Sequence, residues 1–303
     1  MPGLAITALI VSLFFPNTRT QEEWSYPGKD KGIWGNLSII DCHGHIGSFK
    51  GYDLDTKTLL LNIERYGVTM VLVSNIDGAN LPGTTKNLGE VQANTVASEI
   101  IRAHRKILRG LIWTRPNDGK PEQVESFLKE TFKPGESTKI FVGLKFHPMM
   151  NQFPADDPVV DGYLALCERY GVPAVFHSDK PGTHADPQKI YAAARRHPKV
   201  PVILYHSTFF GPHDAALDVV KASRTNNDAD LYLETAQVST DDVIGAVKAV
   251  GSDRVLFGTD ATYFGKEHYG KYEAMVQTLR EKLSPQEFGN VMAHNAERLF
   301  RLR

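Results

Sequence analysis

The sequence predicts an α/β fold, a (β/α)8 TIM barrel, on three observations. Short apolar segments alternate with helix-like segments along the chain. The apolar segments are residues 39–45, 69–76, 108–115, 142–147, 173–178, 201–207, 231–236 and 254–260. Strands that alternate with helices form a parallel sheet, and eight parallel strands close into a barrel. The chain of 303 residues is long enough for one such barrel, which typically needs about 250.

Helical patterns lie between the predicted strands. Residues 53–66 and 91–104 place apolar side chains at helical spacing, and Pro121 is expected to open another helix. Gly67 and Gly171 each stand between a helical pattern and a strand. Glycine is the residue that most often ends a helix in the left-handed conformation, so both are predicted to be helix ends.

Two further helix starts are marked by capping residues. Asp186-Pro187 has the order of an N-cap followed by a first-turn proline. Ser284 and Glu287 have the spacing of a capping box, in which each side chain satisfies a main-chain N–H of the first turn. The second of these signals opens the predicted final helix, which ends in residues 295–300 (NAERLF).

Composition excludes several classes of function. The formal net charge is -1, so no basic surface is expected for nucleic acid or for an anionic membrane. The two cysteines, Cys42 and Cys167, are too few for a disulfide framework or a thiolate zinc site. Cys42 is expected to be a small buried residue. The expected partner is a small-molecule substrate.

The N-terminal segment, residues 1–35, is set apart from a single barrel domain at residues 36–303. Residues 4–15 (LAITALIVSLFF) are uncharged and apolar. The run is too short to span a bilayer but has the length of a signal-peptide core. No Lys or Arg precedes it and the cleavage sequence is poor, so an apolar arm is the alternative. The run gives export, or a periplasmic location, a slight preference over the cytoplasm. We expect no membrane-spanning segment.

The histidines are concentrated at the predicted strand ends, where α/β barrels place their catalytic groups. Five of the eleven histidines lie there. They are His43, His45, His147, His177 and His206. Alternate residues of a strand point the same way, so His43 and His45 project side by side. Asp260 follows the apolar eighth strand, where a carboxylate needs a partner.

Together these side chains indicate a divalent metal. The expected ligands are His43, His45, His177 and Asp260. Nitrogen and oxygen ligands with one open position are typical of catalytic zinc, which lowers the pKa of bound water to about 7. His206 would then be the nearby acid, base or electrophile. Asp41 would orient a ligand histidine. This arrangement requires the side chains of His43 and Asp260 to lie within about 8 Å of each other.

The motifs, in this order, resemble the amidohydrolase superfamily over about residues 38–303. The segments that carry the resemblance are 41–45 (DCHGH), 143–148 (GLKFHP), 176–177 (FH), 205–206 (YH), 258–260 (GTD) and 295–300 (NAERLF). The nearest branch is the amidohydrolase-related one (amidohydrolase family 2), which includes aminocarboxymuconate-semialdehyde decarboxylase. The resemblance implies zinc ligation by the four residues named above and activation of substrate or water by His206. It also suggests a homodimer.

Lys145 leaves the number of metal ions open. In binuclear members of the superfamily a carboxylated lysine on strand four bridges two metals, whereas Lys-x-His-Pro in the nearest branch is not generally a bridge. We therefore expect one zinc ion, with a binuclear site on carboxylated Lys145 as the alternative. Lys145 shares a face with His147 and could instead bind a substrate carboxylate. Pairing with Glu234 on strand seven is the purely structural possibility.

Two reactions fit this site. The leading expectation is a hydrolase that acts on an amide, lactone or ester, with Asp260 taking a proton from the attacking water and His206 polarising the carbonyl. The alternative is a non-oxidative decarboxylase (carboxy-lyase) of a small aromatic or enoic acid, in which Arg115 or Lys145 positions the substrate. A barrel that binds metal without catalysis is disfavoured by the complete ligand set.

Overall fold

Eight parallel strands form one sheet in which each strand pairs with the next along the chain. The computed structural model describes residues 32–209 and 211–302. The strands are β1 (Ile40–Ile46), β2 (Met70–Asn75), β3 (Leu108–Trp113), β4 (Phe141–Phe146), β5 (Ala174–Asp179), β6 (Pro201–Phe209), β7 (Asp230–Glu234) and β8 (Val255–Leu256). The predicted (β/α)8 barrel is confirmed. The apolar run at residues 4–15 lies outside the described residues.

The ring of strands is closed by the residues that follow β8. That strand has only two residues, far fewer than the predicted 254–260. Beyond it, Phe257 accepts a hydrogen bond from the main-chain N–H of Cys42 at 3.0 Å. Ala261 donates to the carbonyl of His43 at 2.9 Å. These bonds join the middle of β1 to the segment that carries Asp260, so the two parts of the expected metal site become neighbours.

Helices alternate with the strands. They are α1 (Thr56–Tyr66), α2 (Glu90–Ala103), α3 (Pro121–Val124), α4 (Asp161–Tyr170), α5 (Pro187–Arg196), α6 (Asp214–Asn226), α7 (Thr240–Val250), α8 (Glu273–Lys282), α9 (Pro285–Gly289) and α10 (Asn295–Leu299). The helix predicted to open at Pro121 is only one turn long, followed by a 3-10 turn at Phe127–Lys129. The predicted final helix is interrupted by a π-helical turn at Asn290–His294.

The helix ends follow the sequence signals. Gly67 and Gly171 end α1 and α4 in the left-handed conformation, with φ of 73° and 60°. The Asp186 side chain accepts a hydrogen bond from the first turn of α5. Ser284 and Glu287 form the predicted capping box. Each of these signals depends on residues a few positions apart, which is why the sequence reveals them.

Apolar side chains fill the space inside the barrel and the space between strands and helices. The inner cluster takes a side chain from every strand, including Cys42, Leu72 and Tyr205, and is completed by Phe300 near the C-terminus. It forms a solid floor beneath the carboxyl ends of the strands. Among the described residues, no helix is long and apolar enough to cross a membrane. The homodimer stays a prediction, which size-exclusion chromatography would test.

Candidate active site

Three buried side chains meet at the carboxyl end of the barrel. The Nε2 atoms of His43 and His45 lie 3.3 Å and 3.1 Å from Oδ1 of Asp260. One ligand atom from each residue lies within 4.8 Å of the other two. A tetrahedral ion with bonds of about 2.1 Å separates its ligand atoms by about 3.4 Å, so two imidazoles and a carboxylate at this spacing fit a divalent metal. The predicted proximity of His43 and Asp260 is confirmed.

Glu234, at the end of β7, orients the ring of His43. Its Oε2 lies 3.3 Å from Nδ1 of His43, which turns Nε2 towards Asp260. The same carboxylate accepts main-chain hydrogen bonds from His206 and Ala236 at 2.8 Å and 2.6 Å. Burial raises the pKa of Glu234 to about 8, and these two donors oppose that effect. A carboxylate behind a ligand histidine fixes the ring for metal binding.

Contrary to the sequence prediction, Asp41 does not orient the ring of a ligand histidine. Instead of orienting a histidine ring, its Oδ1 accepts main-chain hydrogen bonds from His43 at 2.9 Å and from Thr259 at 3.1 Å. Its Oδ2 accepts from the hydroxyls of Thr259 and Tyr269. Burial raises the pKa of Asp41 to about 6, and these donors oppose the rise. Asp41 therefore ties β1 to the residue that precedes Asp260.

The other strand-end histidines lie beside the cluster. The ring of His206 is 4.9 Å from that of His43 and 4.8 Å from that of His177, measured between centroids. His147 stacks on His177 at 4.0 Å. His177 is not one of the three groups whose ligand atoms converge, so its role as a ligand stays a prediction. The five histidines nevertheless line one cavity, as the sequence predicted.

Hydrogen bonds assign the ring protons of two of these histidines. Nδ1 of His206 lies 3.3 Å from the carbonyl of Ala236, which can only accept, so the Nε2 of His206 holds a lone pair. Nδ1 of His147 accepts from the N–H of Met150 at 3.2 Å, so its proton is on Nε2. Burial lowers the pKa of His206 to about 4 and that of His147 well below its usual value. In neutral form, therefore, His206 offers an acceptor and His147 a donor.

Lys145 is a buried amine without a hydrogen-bond partner among the described residues. Its Nζ lies 3.9 Å from the ring centroid of Tyr205, and the side chain lines the same cavity as the cluster. The possible pairing with Glu234 is therefore not observed. Burial lowers the pKa of Lys145 to about 7, although Asp260 and Glu234 oppose the change. Burying an unpaired polar or charged group lowers the stability of the fold. Lys145 is therefore a candidate for binding an anionic group of a ligand.

Arg115 does not join these residues. Its guanidinium donates to the carboxylate of Asp118, to Asn87 Oδ1 at 3.0 Å and to the carbonyl of Leu88 at 2.8 Å. The described residues that line the cavity do not include it. Its donors are used within the loops that follow β2 and β3, so we leave Arg115 out of the proposed site and correct the expectation that it holds the substrate.

The cluster opens into a cavity of about 370 Å³. Apart from the groups already described, its lining is mostly apolar and partly aromatic. It includes Phe49, Tyr52, Met149, Met150, Phe209 and Tyr263. Cavities of this size and character bind small molecules. Sequence analysis did not predict that Tyr52 and Tyr263 line the cavity or that Tyr205 contacts Lys145, and only the position of Tyr205 directly before His206 indicated that it lies near the site.

Comparison with known proteins places this chain in a family. The family model described as amidohydrolase matches residues 40–302. No curated protein sequence matches the chain. Similar solved structures include 5-carboxyvanillate decarboxylase from Novosphingobium aromaticivorans, with 11% identity, a TM-score of 0.66 and coverage of 90% of this chain and 99% of that one. That structure contains manganese and 4-hydroxy-3-methoxy-5-nitrobenzoic acid.

Two further structures have the same fold at similarly low identity. The 2,6-dihydroxybenzoate decarboxylase from Rhizobium is 18% identical, with a TM-score of 0.62 and coverage of 88% and 99%. The Metarhizium anisopliae IDCase is 13% identical, with a TM-score of 0.66 and coverage of 88% and 98%. The family model covers nearly the whole described chain, as the motifs predicted. This chain therefore belongs to the amidohydrolase family of enzymes, with a site for a divalent metal at His43, His45 and Asp260.

Proposed function

We propose that this protein is a metal-dependent carboxy-lyase that removes the carboxyl group of a small aromatic acid without oxidation. The observation that carries the proposal is the unpaired, buried Lys145 in an otherwise mostly apolar cavity that also contains the metal cluster. A carboxylate on an apolar ring complements such a cavity. The decarboxylases of 5-carboxyvanillate and 2,6-dihydroxybenzoate, which have the same fold, support this class of reaction.

We propose one divalent metal ion, held by His43, His45 and Asp260, with His177 as a further ligand. Zinc is the ion that the sequence favours, and manganese is the alternative because a similar structure contains it. When bound, such an ion acts as a Lewis acid towards oxygen atoms of the substrate. A binuclear site on carboxylated Lys145 is less compatible with this proposal, because carboxylation would replace the cation by an anion.

The residues of the chain would bind the substrate and move its protons. Lys145 and the Nε2–H of His147 donate hydrogen bonds to the carboxylate. Asp260 accepts the proton of a ring hydroxyl, which makes the ring richer in electrons, and the Nε2 of His206 is the alternative acceptor. Lys145, whose pKa of about 7 suits proton transfer near neutrality, gives a proton to the ring carbon that bears the carboxylate. The carbon–carbon bond then breaks, its electron pair returns to the ring, and carbon dioxide leaves.

Hydrolysis of an amide, lactone or ester is the second candidate, and the charge state of Asp260 favours it. Burial alone would raise the pKa of Asp260, but the hydrogen bond from His45 and the electrostatic effect of the neighbouring histidines and Lys145 outweigh burial and hold this pKa below its usual range. An ionised carboxylate beside a metal site is suited to accept a proton from attacking water. In this reaction Asp260 would return the proton to the leaving group, and His206 would stabilise the carbonyl oxygen only in the form that carries a proton on Nε2.

One assay separates the two reactions. Enzyme loaded with zinc or with manganese is incubated with hydroxybenzoic acids labelled with ¹³C in the carboxyl group, and separately with aryl lactones and esters. We expect labelled carbon dioxide and the corresponding phenol, with a large loss of rate in Lys145→Met. Gain of one water by a lactone or ester, with no labelled carbon dioxide from any acid, would reject the lyase in favour of the hydrolase.

A further inference from the structure

Two tyrosines from distant parts of the sequence meet at the open end of the cavity. Tyr52 lies in the loop after β1 and Tyr263 in the segment after β8. Their ring centroids are 4.9 Å apart with the planes tilted by 33°, and their hydroxyls are 3.4 Å apart. Both residues line the cavity that contains the metal cluster. Tyr52 is 40% exposed whereas His43 is 1% exposed, which places the pair at the solvent side.

Folding stability does not account for this arrangement. A tyrosine that stays partly exposed gains less from the hydrophobic effect than one in the core. Phe49 packs on Tyr52 at 5.2 Å and Phe264 packs on Tyr263 at 5.1 Å, so four rings adjoin at the surface. Contiguous exposed apolar surface of this kind commonly marks a binding site. Phe264 is 41% exposed, but it is not among the described residues that line the cavity.

The two loops are tied to the metal cluster and to each other. The main-chain N–H of Tyr263 donates to the carbonyl of Asp260 at 2.8 Å. The hydroxyl of Thr262 donates to the carbonyl of Asp53, next to Tyr52. The tyrosine pair is thereby held on the rim above the cluster. If the carboxylate of a bound aromatic acid reaches Lys145 in the buried part of the cavity, the ring of the acid extends towards the faces of the two tyrosines.

We propose that Tyr52 and Tyr263 are specificity-determining residues, which contact the face of the substrate ring and select planar aromatic acids over saturated ring acids. The proposal rests on the proposed function in that the ligand is a ring carboxylate. Aromatic rings prefer offset or edge-to-face contacts at 4.5–7 Å, beyond the gain from buried area alone. That preference corresponds to roughly a 2- to 10-fold difference in affinity for each ring contact.

The test compares two acids of equal charge and similar size. Benzoate is planar and cyclohexanecarboxylate is not. Their binding to the metal-loaded full chain is measured by calorimetry in wild type, Tyr52→Leu, Tyr263→Leu and the double variant. Tyr52→Phe keeps the ring and removes its hydroxyl. Phe264→Leu is the matched control, because it removes a neighbouring exposed ring outside the cavity. Metal content and melting temperature verify that each variant is folded.

We expect wild type to prefer benzoate by about 2- to 10-fold, and Tyr52→Phe and Phe264→Leu to retain that preference. Each tyrosine-to-leucine variant should lose much of it through weaker benzoate binding, with cyclohexanecarboxylate little changed. Equal binding of both acids by wild type, equal weakening of both acids in the leucine variants, or the same loss in Phe264→Leu would each overturn the proposal. Failure of wild type to bind either acid would overturn it as well.

Binding and turnover separate this proposal from the proposed function. Release of carbon dioxide from aromatic acids, without a preference for benzoate that depends on the tyrosines, would reject the role of the tyrosines alone. A preference for benzoate that the leucine variants remove, without release of carbon dioxide, would leave the tyrosines as recognition residues and reject the lyase.

Discussion

Replacing Lys145 by methionine should make the metal-free protein more stable and less able to bind carboxylates. The Nζ of Lys145 is buried and unpaired among the described residues. Methionine is also long and unbranched, and it carries no charge to bury. The substitution therefore removes the cost of a buried cation while leaving the shape of the cavity nearly intact. A buried residue that lowers the stability of the fold is expected to have a function in binding the ligand.

The pKa of Lys145 determines how much stability the Lys145→Met substitution should add and how that increase depends on pH. Burial lowers this pKa from 10.5 to about 7, and each pH unit corresponds to about 1.4 kcal/mol. Below pH 7 the amine is protonated in both states, so the full cost of about 5 kcal/mol is present. Between pH 7 and 10.5 the unfolded chain holds a proton that the folded protein lacks, so the stability of wild type rises with pH. Above pH 10.5 this cost disappears.

A lost contact reduces the expected gain. The ammonium of Lys145 lies over the ring of Tyr205, and a desolvated cation–π contact contributes about 1–2 kcal/mol. The net stabilisation in Lys145→Met should then be about 3–4 kcal/mol at pH 6 and should shrink towards zero or below at pH 10. The free energy of unfolding is measured by urea denaturation of chelator-treated protein at pH 6, 8 and 10.

The matched control is Lys199→Met, whose side chain is 81% exposed. An exposed substitution of this kind changes stability by less than about 0.5 kcal/mol. In the same samples, benzoate should raise the stability of wild type but not that of Lys145→Met, because the ligand carboxylate pairs with the buried ammonium. Loss of stability in Lys145→Met at pH 6, or a gain that does not vary with pH, would refute the description of Lys145 as a buried, unpaired cation.

Three further predictions concern the metal site. In metal-saturated Asp260→Asn, turnover should fall by about two to four orders of magnitude, because the amide cannot accept the proton; near-normal turnover would move that role to His206 or Glu234. Glu234→Gln should weaken metal binding about 10- to 100-fold in a chelator competition, since it disturbs the support of His43; unchanged affinity would contradict the orienting role. Elemental analysis should find one divalent ion per chain, and two ions lost together in Lys145→Ala would establish the binuclear alternative.

The sequence predicted the barrel well because its signals are local. Apolar periodicity located the strands, and glycines and capping residues located the helix ends. The length of β8 was not predictable in this way. Its apolar run reads as a full strand, but the main chain leaves the ladder with β7 after Leu256 and bonds instead to β1 through Phe257 and Ala261. Such an exchange of partners depends on how the barrel closes, which no short window of sequence contains.

Whether a side chain at a strand end points into the cavity was harder to predict than the strands themselves. His43, His45 and Asp260 met as expected because strand ends converge in a barrel. Arg115 also follows a strand, yet its long side chain bonds to Asp118, three residues further on, and stays out of the cavity. A strand end limits where the main chain of a residue lies. The neighbouring donors and acceptors decide where its charged group points.

Three buried carboxylates at the site, Asp41, Glu234 and Asp260, have different hydrogen-bond partners, and these partners indicate a different role for each. Asp41 accepts main-chain hydrogen bonds from His43 in β1 and from Thr259 in the segment after β8, so it helps to close the barrel. Glu234 receives a main-chain donor on each oxygen and still reaches the ring of His43. The carboxylate of Asp260 has only side-chain partners among the described residues, namely two histidines and the amide of Gln237 at 3.2 Å.

The three carboxylates also differ in their exposure to solvent. Asp41 and Glu234 are fully buried, whereas Asp260 is 8% exposed and lines the cavity. Side-chain donors can change partner when a metal or a substrate binds, but main-chain donors within a closed barrel cannot move without opening it. Proton transfer requires a group that is reachable and free to exchange its partners. Of the three carboxylates, Asp260 alone meets both conditions, and this supports our proposal that Asp260 is the group that accepts the proton.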